Sequence, residues 1–423
     1  MNFLIRPVSY GFLFFLAVDS QASATKLKFE ELLSSIVADH PSTLKARAGL
    51  EGAKAAAQPG TFVFFPTVSA SLGRSRTSLS LTSDSAALEA SLNLFRGGAD
   101  LASFNAAATS RDLAEAQFQS QSLQIESQSA RDLLSCVEER KQLSLSEARL
   151  AAKSLVLESS RTRYSRGLVS AEELEKLELE DAQTRARHSD TIQSSQKICD
   201  KALLHGAGAD MESTWPWEKL FQSPSFVERF EKLAANENPA LHIARANADL
   251  ARQLRVKNVG LMLPSIDLSG GYGNQRVQPS TSWTPAWSLS VGLRIPLFSQ
   301  MSHYANWREA AANEIGASAD LLLARRNGDE QAKSSVETLR RTSSSTLDRA
   351  LMLERSRKAY QKSLELFKAG RLRVNDLSFD EERWILSQSL SVQGWLNAHL
   401  ALIDFCSFRG IFLRECLAEL SKN

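Results

Sequence analysis

Proline and glycine are scarce in this chain, 11 and 20 of 423 residues, or about 3% and 5% against ordinary usage of about 5% and 7%. No proline lies between Pro66 and Pro216 or after Pro296. Stretches that long without a helix breaker predict a largely helical protein. Cysteine is sparse too: Cys136, Cys199, Cys406 and Cys416 form no CxxC and no metal-ligand spacing, so this is not a disulfide-built scaffold. The six histidines (His40, His188, His205, His242, His303, His399) are scattered without an HExxH and read as surface or interface residues. There is no GxSxG and no phosphate loop, and Gly270-Gly271-Tyr272-Gly273 follows a strand-like run without opening a helix. No catalytic, cofactor or metal site is expected. Net charge is also nearly absent. With 50 Lys plus Arg against 48 Asp plus Glu, a net +2 excludes a polycation built for nucleic acid. At 23% charged and 43% hydrophobic residues the chain is not disordered.

What is present begins with an address. Residues 1–11 carry Arg6 and no acid, Phe12 to Val18 is a short apolar run, and Ala22-Ser23-Ala24 is a small-x-small cleavage site. This order reads as a secretory signal peptide, residues 1–24. A membrane anchor is the weaker reading, since the run falls short of the roughly 18 residues needed to span. No later segment reads as a transmembrane helix, so an exported chain that crosses a membrane must do so with strands.

The remainder is an internal repeat. His40-Pro41 matches Asn238-Pro239 and Phe65-Pro66 matches Leu263-Pro264, both at an offset of 198. Leu94-Phe95 matches Leu297-Phe298 and Tyr164-x-x-Gly167 matches Phe367-x-x-Gly370, both at 203. The shift of five falls between the two strands of each half, where a loop absorbs it. A period near 200 marks a duplicated domain rather than a solenoid. The expected layout is a first repeat at 25–205, a linker at 206–237, a second repeat at 238–410 and a C-terminal segment at 411–423.

Each half reads alike. A helix (Thr43 to Phe64; Ala240 to Met262) stops before a proline. Two strands follow, at about 66–73 and 86–95, then again at about 264–275 and 286–297. In them Ala86, Leu88, Ala90, Leu92 and Leu94 alternate with Ala87, Glu89, Ser91, Asn93 and Phe95. In the second half Trp287, Leu289, Val291, Leu293 and Ile295 alternate with Ser288, Ser290, Gly292, Arg294 and Pro296. One face is apolar and the other polar, with Glu89, Asn93, Asp267 and Arg294 on the polar side. A soluble sheet with one wet face shows the same alternation, but strands of this length also suit an outer membrane. Four strands cannot close alone, so membrane strands would have to come from several chains, two copies giving eight and three giving twelve. After the strands come hairpins at 99–205 and 302–410, each a very long helix, a turn at Gly167 or Gly370, and a returning helix. A spectrin-like rod would need a stronger Leu/Ile seam than these Ala- and Ser-rich helices carry.

Helix, two strands, long helix, Gly turn and returning helix, given twice after a signal peptide, resembles the outer-membrane efflux protein family of TolC-like channels. The residues carrying the resemblance are His40-Pro41, Asn238-Pro239, Leu94-Phe95-Arg96-Gly97-Gly98, Ile295-Pro296-Leu297-Phe298, and the turns Tyr164 to Ser170 and Phe367 to Leu377. The resemblance implies a mainly α protein with membrane β: a homotrimer sharing a twelve-stranded outer-membrane barrel on a long periplasmic helical tube. It further implies an outer-membrane location, a periplasmic adaptor and an inner-membrane pump as partners, and a passive export duct for efflux or type I secretion. On that reading Glu89, Asn93, Asp267 and Arg294 face the barrel lumen. The tips that meet the adaptor are Arg166, Gly167, Leu168, Val169, Ser170, Gly370, Arg371, Leu372 and Arg373. Asp376 lines the constriction. A second family acid falls on Phe379 here, with Asp380 adjacent, and the second strand-to-helix corner, Ser299-Gln300-Met301, lacks the Gly-Gly of the first. An exported helical rod serving as a tether, without a pore, is the competing function.

The cysteines complete the reading. Cys136 and Cys199 are equidistant from the Gly167-Leu168 turn, which puts them at one height in an antiparallel hairpin and predicts a disulfide between them. Cys406 and Cys416 could bridge only if Gly410 breaks the helix; the reading favours unbridged thiols for this pair.

Overall fold

The computed structural model describes residues 29–76, 82–203, 216–221, 238–277, 280–297 and 301–421. The expected signal peptide and most of the 206–237 linker lie outside the described residues. Both repeats open on the same device. In α2 (Pro41–Thr61), after α1 (Phe29–Asp39), Pro41 occupies the first helical turn and His40 Nδ1 accepts from the Ser42 N–H at 3.1 Å. In α6 (Pro239–Gly260), Pro239 takes that place and Asn238 Oδ1 accepts from the Ala240 N–H at 2.9 Å. A capping acceptor followed by a residue that needs no hydrogen-bond partner satisfies the orphan donors of a helix start. Both helices end two or three residues earlier than the sequence reading placed them. A turn closes each one ahead of Pro66 and Pro264 (Phe65 N–H to Phe62 O, 2.9 Å; Leu263 N–H to Gly260 O, 3.1 Å), because the residue before proline is driven out of helical geometry.

The strands are β1 (Thr67–Arg76), β2 (Thr82–Arg96), β3 (Ser265–Val277) and β4 (Thr284–Arg294). They form one antiparallel sheet in the order β1-β2-β3-β4, so the two repeats join edge to edge through β2 and β3. A bulge between Asn93 and Phe95 corrects the expected alternation. The extra residue is Leu94, and Phe95, opposite Ile266, takes the apolar face in its stead.

From the strand ends run the hairpins: α3 (Ala99–Tyr164) with α4 (Ala171–Leu203), and α7 (Ser302–Lys368) with α8 (Val374–Phe408). At about 1.5 Å per residue the 66 and 67 residues of α3 and α7 each extend about 100 Å. Near the sheet these helices pack through alanine. Ala99, Ala102, Ala106 and Ala107 of α3 are buried, as are Ala46 and Ala57 of α2, Ala246 of α6 and Ala310 of α7. Small side chains let long helices lie close without a bulky seam.

The main apolar core lies midway along the hairpins. It gathers Phe29, Leu32 and Ile36 of α1, Leu133, Leu134 and Val137 of α3, Phe221 of the short α5 (Glu218–Phe221), and Leu402 and Phe405 of α8. Two disulfides sit in this core. Cys136–Cys199 joins α3 to α4 with Cα atoms 4.7 Å apart, as expected. Cys406–Cys416 corrects the reading of free thiols, with Cα atoms 6.0 Å apart. Gly410 adopts φ 70° and ends α8, and α9 (Leu413–Ser421) folds back through a 100° bend, bringing together two cysteines that a continuous helix would hold about 15 Å apart. His399 is a second correction. It is fully buried in this core, its Nδ1 meeting Trp395 O at 2.6 Å and its Nε2 meeting Pro216 O, and burial pulls its pKa below the ordinary histidine value.

Candidate functional site: a two-faced sheet and two helical tips

Cross-strand partners share a face of a sheet, so the register sorts every strand residue. Leu72, Leu88, Leu92, Phe95, Leu268, Tyr272, Trp287, Leu289, Val291 and Leu293 fall on one face. That face is open: Leu72 is 89% exposed and Trp287 78%. The other face carries Thr67, Ser69, Glu89, Ser91, Asn93, Asp267, Ser269, Ser288, Ser290 and Arg294. The four residues read as lumen-facing, Glu89, Asn93, Asp267 and Arg294, therefore do share one side. Along this polar side lies a hollow of about 530 Å³ lined by Thr67, Ser69, Glu89, Ser91, Ser269 and Ser288 among others.

At the far end, the two Gly turns have the same hydrogen bonding. Leu168 N–H reaches Arg163 O at 3.0 Å and Gly167 N–H reaches Tyr164 O at 2.9 Å; Arg371 N–H reaches Leu366 O at 2.9 Å and Gly370 N–H reaches Phe367 O at 3.0 Å. This paired closure needs a left-handed residue, which Gly167 (φ 73°) and Gly370 (φ 77°) supply without steric cost. Arg166, Leu168, Arg371 and Arg373 are exposed, and Val169 is half-buried. Ser170 is committed locally: its Oγ accepts from the Glu173 N–H at 3.2 Å and caps α4. Leu372 corrects the expectation of two equivalent exposed tips, since it packs against the cluster of Phe367, Val374 and Leu377, whereas Leu168 is 72% exposed. The difference follows from position, for Leu372 lies two residues past its Gly and Leu168 only one. Asp376 is exposed in the first turn of α8, and Asp380, half-buried, accepts from Ser363 Oγ of α7. Phe379 between them is exposed beneath the Arg383 guanidinium.

Above the tips lies a buried polar knot that motif reasoning missed. Lys153 of α3 bridges Glu180 of α4 at 2.9 Å and Glu381 of α8 at 2.8 Å. Burial works against the Lys153 charge, yet the Glu381 and Glu180 carboxylates hold its pKa above the ordinary lysine value. Burial pushes the Glu381 pKa up despite Lys153. Tyr360, stacked on Trp384 at 4.8 Å, is pushed up to about 12 by burial and then by the Glu381 charge. Lys153, Glu180 and Glu381 fall at no fixed spacing, so only the packing of the two hairpins reveals them. Among the described residues, no group of His, Cys, Asp and Glu is placed to hold a metal ion, and no single helix is long and apolar enough to cross a membrane.

Comparison with known proteins agrees with this geometry. Residues 32–197 match the family described as outer membrane efflux protein. The proteases secretion protein PrtF of Dickeya chrysanthemi is 26% identical over 286 residues, covering 62% of this chain and 59% of that protein; the chain thus spans less than two thirds of the relative's length. Among solved structures, the outer membrane protein VceC of Vibrio cholerae superposes with a TM-score of 0.78 at 16% identity, over 91% of this chain and 96% of that one. The CmeC outer membrane channel of Campylobacter jejuni does so with a TM-score of 0.77 at 12% identity, over 100% and 98%. The first repeat thus matches the outer membrane efflux protein family in sequence, and the fold of both repeats is similar to that of these outer-membrane proteins.

Proposed function

We propose that the chain is one protomer of a passive export duct in the outer membrane. The observation that carries this reading is the sheet. It has two unpaired edges, one face apolar and open, and one face polar, and it offers no closure within one chain. In lipid, an unpaired strand edge costs several kcal/mol per orphan group, so the edges must meet other copies. Three copies give a twelve-stranded barrel with the Ser- and Thr-rich face around the lumen and the helices continuing into the periplasm. A rod that only tethers has no use for an apolar outward face of this size.

The tips around Arg166-Gly167-Leu168-Val169-Ser170 and Gly370-Arg371-Leu372-Arg373, through the exposed Arg166, Leu168, Arg371 and Arg373, are the surface for a periplasmic adaptor, behind which an inner-membrane pump supplies the energy. Asp376 and Asp380 stand one helical turn apart near the inner end, where they narrow the duct. The protease-secretion relative and the channel neighbours support export through a type I secretion or an efflux assembly. Native mass measurement of detergent-extracted protein tests the reading: three copies are expected, with ion conductance in a planar bilayer. A monodisperse water-soluble monomer would overturn it.

A further inference from the structure

The apolar face of the sheet ends at a row of charge. Arg74 lies opposite Asp84, and Asp84 opposite Arg276, so the three side chains share that face across β1, β2 and β3. Arg76 follows two residues beyond Arg74. Among the described residues, these four are the only charged ones that the register places on the apolar face. The Asp84 carboxylate accepts from Arg74 Nε (2.5 Å) and Nη2 (3.3 Å) and from Arg276 Nη2. Asp84 is buried by this grip, while Arg74 remains largely exposed. The Arg276 guanidinium also lies 5.2 Å over the Trp283 ring, and its Nε is buried with no hydrogen-bond partner among the described residues. Three guanidinium groups against one carboxylate leave net positive charge and unused donors.

The height of the row gives those donors a partner. From Ile266, at the start of the apolar band, to Arg276 is ten residues along β3. That is about 34 Å of strand at about 3.4 Å per residue, or about 26 Å of height at a tilt near 40°, the thickness of the band that outer-membrane barrels present to lipid. The Tyr272–Trp287 aromatic pair lies four residues inside the row, about 10 Å of height at that tilt. The end in question is the one away from the helices, so it faces the outer leaflet.

We propose that Arg74, Arg76 and Arg276 form a binding site for the phosphate of an anionic lipid headgroup in the outer leaflet, with Asp84 holding the Arg74 and Arg276 forks in place. The forked guanidinium matches phosphate oxygens in two parallel hydrogen bonds. The inference rests on the membrane reading above. The test places the wild-type assembly in nanodiscs of mixed phosphatidylglycerol and phosphatidylcholine and counts retained lipids by native mass spectrometry. Wild type should retain the anionic lipid about tenfold over the zwitterionic one. R74Q/D84N/R276Q, which removes the charges together and strands no carboxylate, should lose that preference; should it not assemble, R76Q, outside the Asp84 grip, carries the same reading. Equal retention of both lipids by wild type, or an unchanged preference in the variant, overturns the site while leaving the membrane reading standing. Displacement of the lipid by millimolar inorganic phosphate overturns its assignment to a headgroup. A wild-type chain that enters no nanodisc overturns the membrane reading and the site with it.

Discussion

Cys136 of α3 and Cys199 of α4 face each other across the first hairpin, bonded, with Cα atoms 4.7 Å apart. They lie 31 and 32 residues from Gly167, so the bond fixes the register of two helices about 45 Å above their turn. The second hairpin has no such bond between its arms. C136S/C199S is expected to lower stability by about 2–4 kcal/mol, read by urea unfolding against wild type. Peptide mapping without reductant should recover both this pair and Cys406–Cys416; free alkylation of Cys136 would refute the assignment.

The two faces of the sheet predict opposite responses to the same substitution. Leu289→Arg or Leu88→Arg, opposite Gly270 and Tyr272 at mid-height of the apolar face, should cost about 2–4 kcal/mol near the bilayer midplane and lower the temperature at which the oligomer dissociates in detergent. Ser290→Arg and Ser91→Arg, on the polar face, should leave that temperature unchanged and reduce single-channel conductance. Equal loss of stability on both faces would mean that the sheet is buried on both sides.

Most of this architecture was legible in the sequence for local reasons. The starts of α2 and α6 show as a cap followed by Pro, and the hairpin turns as Gly after an unbroken run. The ends of α3 and α7, Tyr164 and Lys368, fall three and two residues before the Gly of each turn, because a left-handed Gly terminates a helix whatever surrounds it. What failed to show was tertiary. The bulge at Leu94 hides inside an unbroken alternation, since Leu94 and Phe95 are both apolar and either could face lipid. His399 is buried by Pro216 and Trp395, the first of them 183 residues away. The Cys406–Cys416 bond depended on the angle at Gly410, and the Lys153 knot on the docking of two hairpins.

The unequal tips give a second contrast. Leu168→Asp changes an exposed side chain, so it should abolish export while oligomers form normally. Leu372→Asp buries a carboxylate against Phe367 and Leu377 and should destabilise the inner end as well. Export assays paired with protease accessibility of the tips separate the two; normal export with Leu168→Asp would refute adaptor contact there.

The Lys153 knot predicts a pH dependence. Burial raises the Glu381 pKa, so the folded protein holds that proton at a higher pH than the unfolded chain does. Stability from this group is therefore present at low pH and falls as pH rises through the folded pKa. Lys153→Met removes the compensating cation and should cost about 3–5 kcal/mol at neutral pH. Part of that loss, measured against wild type at each pH, should return on acidification. A pH-independent difference in urea unfolding would refute the coupling.

At the two strand-to-helix corners the backbone makes the same left-handed step with different residues. Gly98 precedes α3 at φ 82° and Met301 precedes α7 at φ 62°. A side chain in that region costs about 1–2 kcal/mol, so Met301→Gly should stabilise the protein by about 1 kcal/mol, read as a raised unfolding midpoint.

The number of strands carries one more consequence. With four antiparallel strands in sequence order, β1 and β4 run in opposite directions. When the free edge of β4 meets β1 of the next copy, the seam continues the antiparallel ladder in head-to-tail fashion. Such a joint accepts another copy without limit, and only the curl of the sheet decides when the circle is complete. An odd number of strands per chain would have forced a parallel seam or inverted every second copy, standing half of the helices on the wrong side of the membrane. The even count keeps every hairpin pointing the same way.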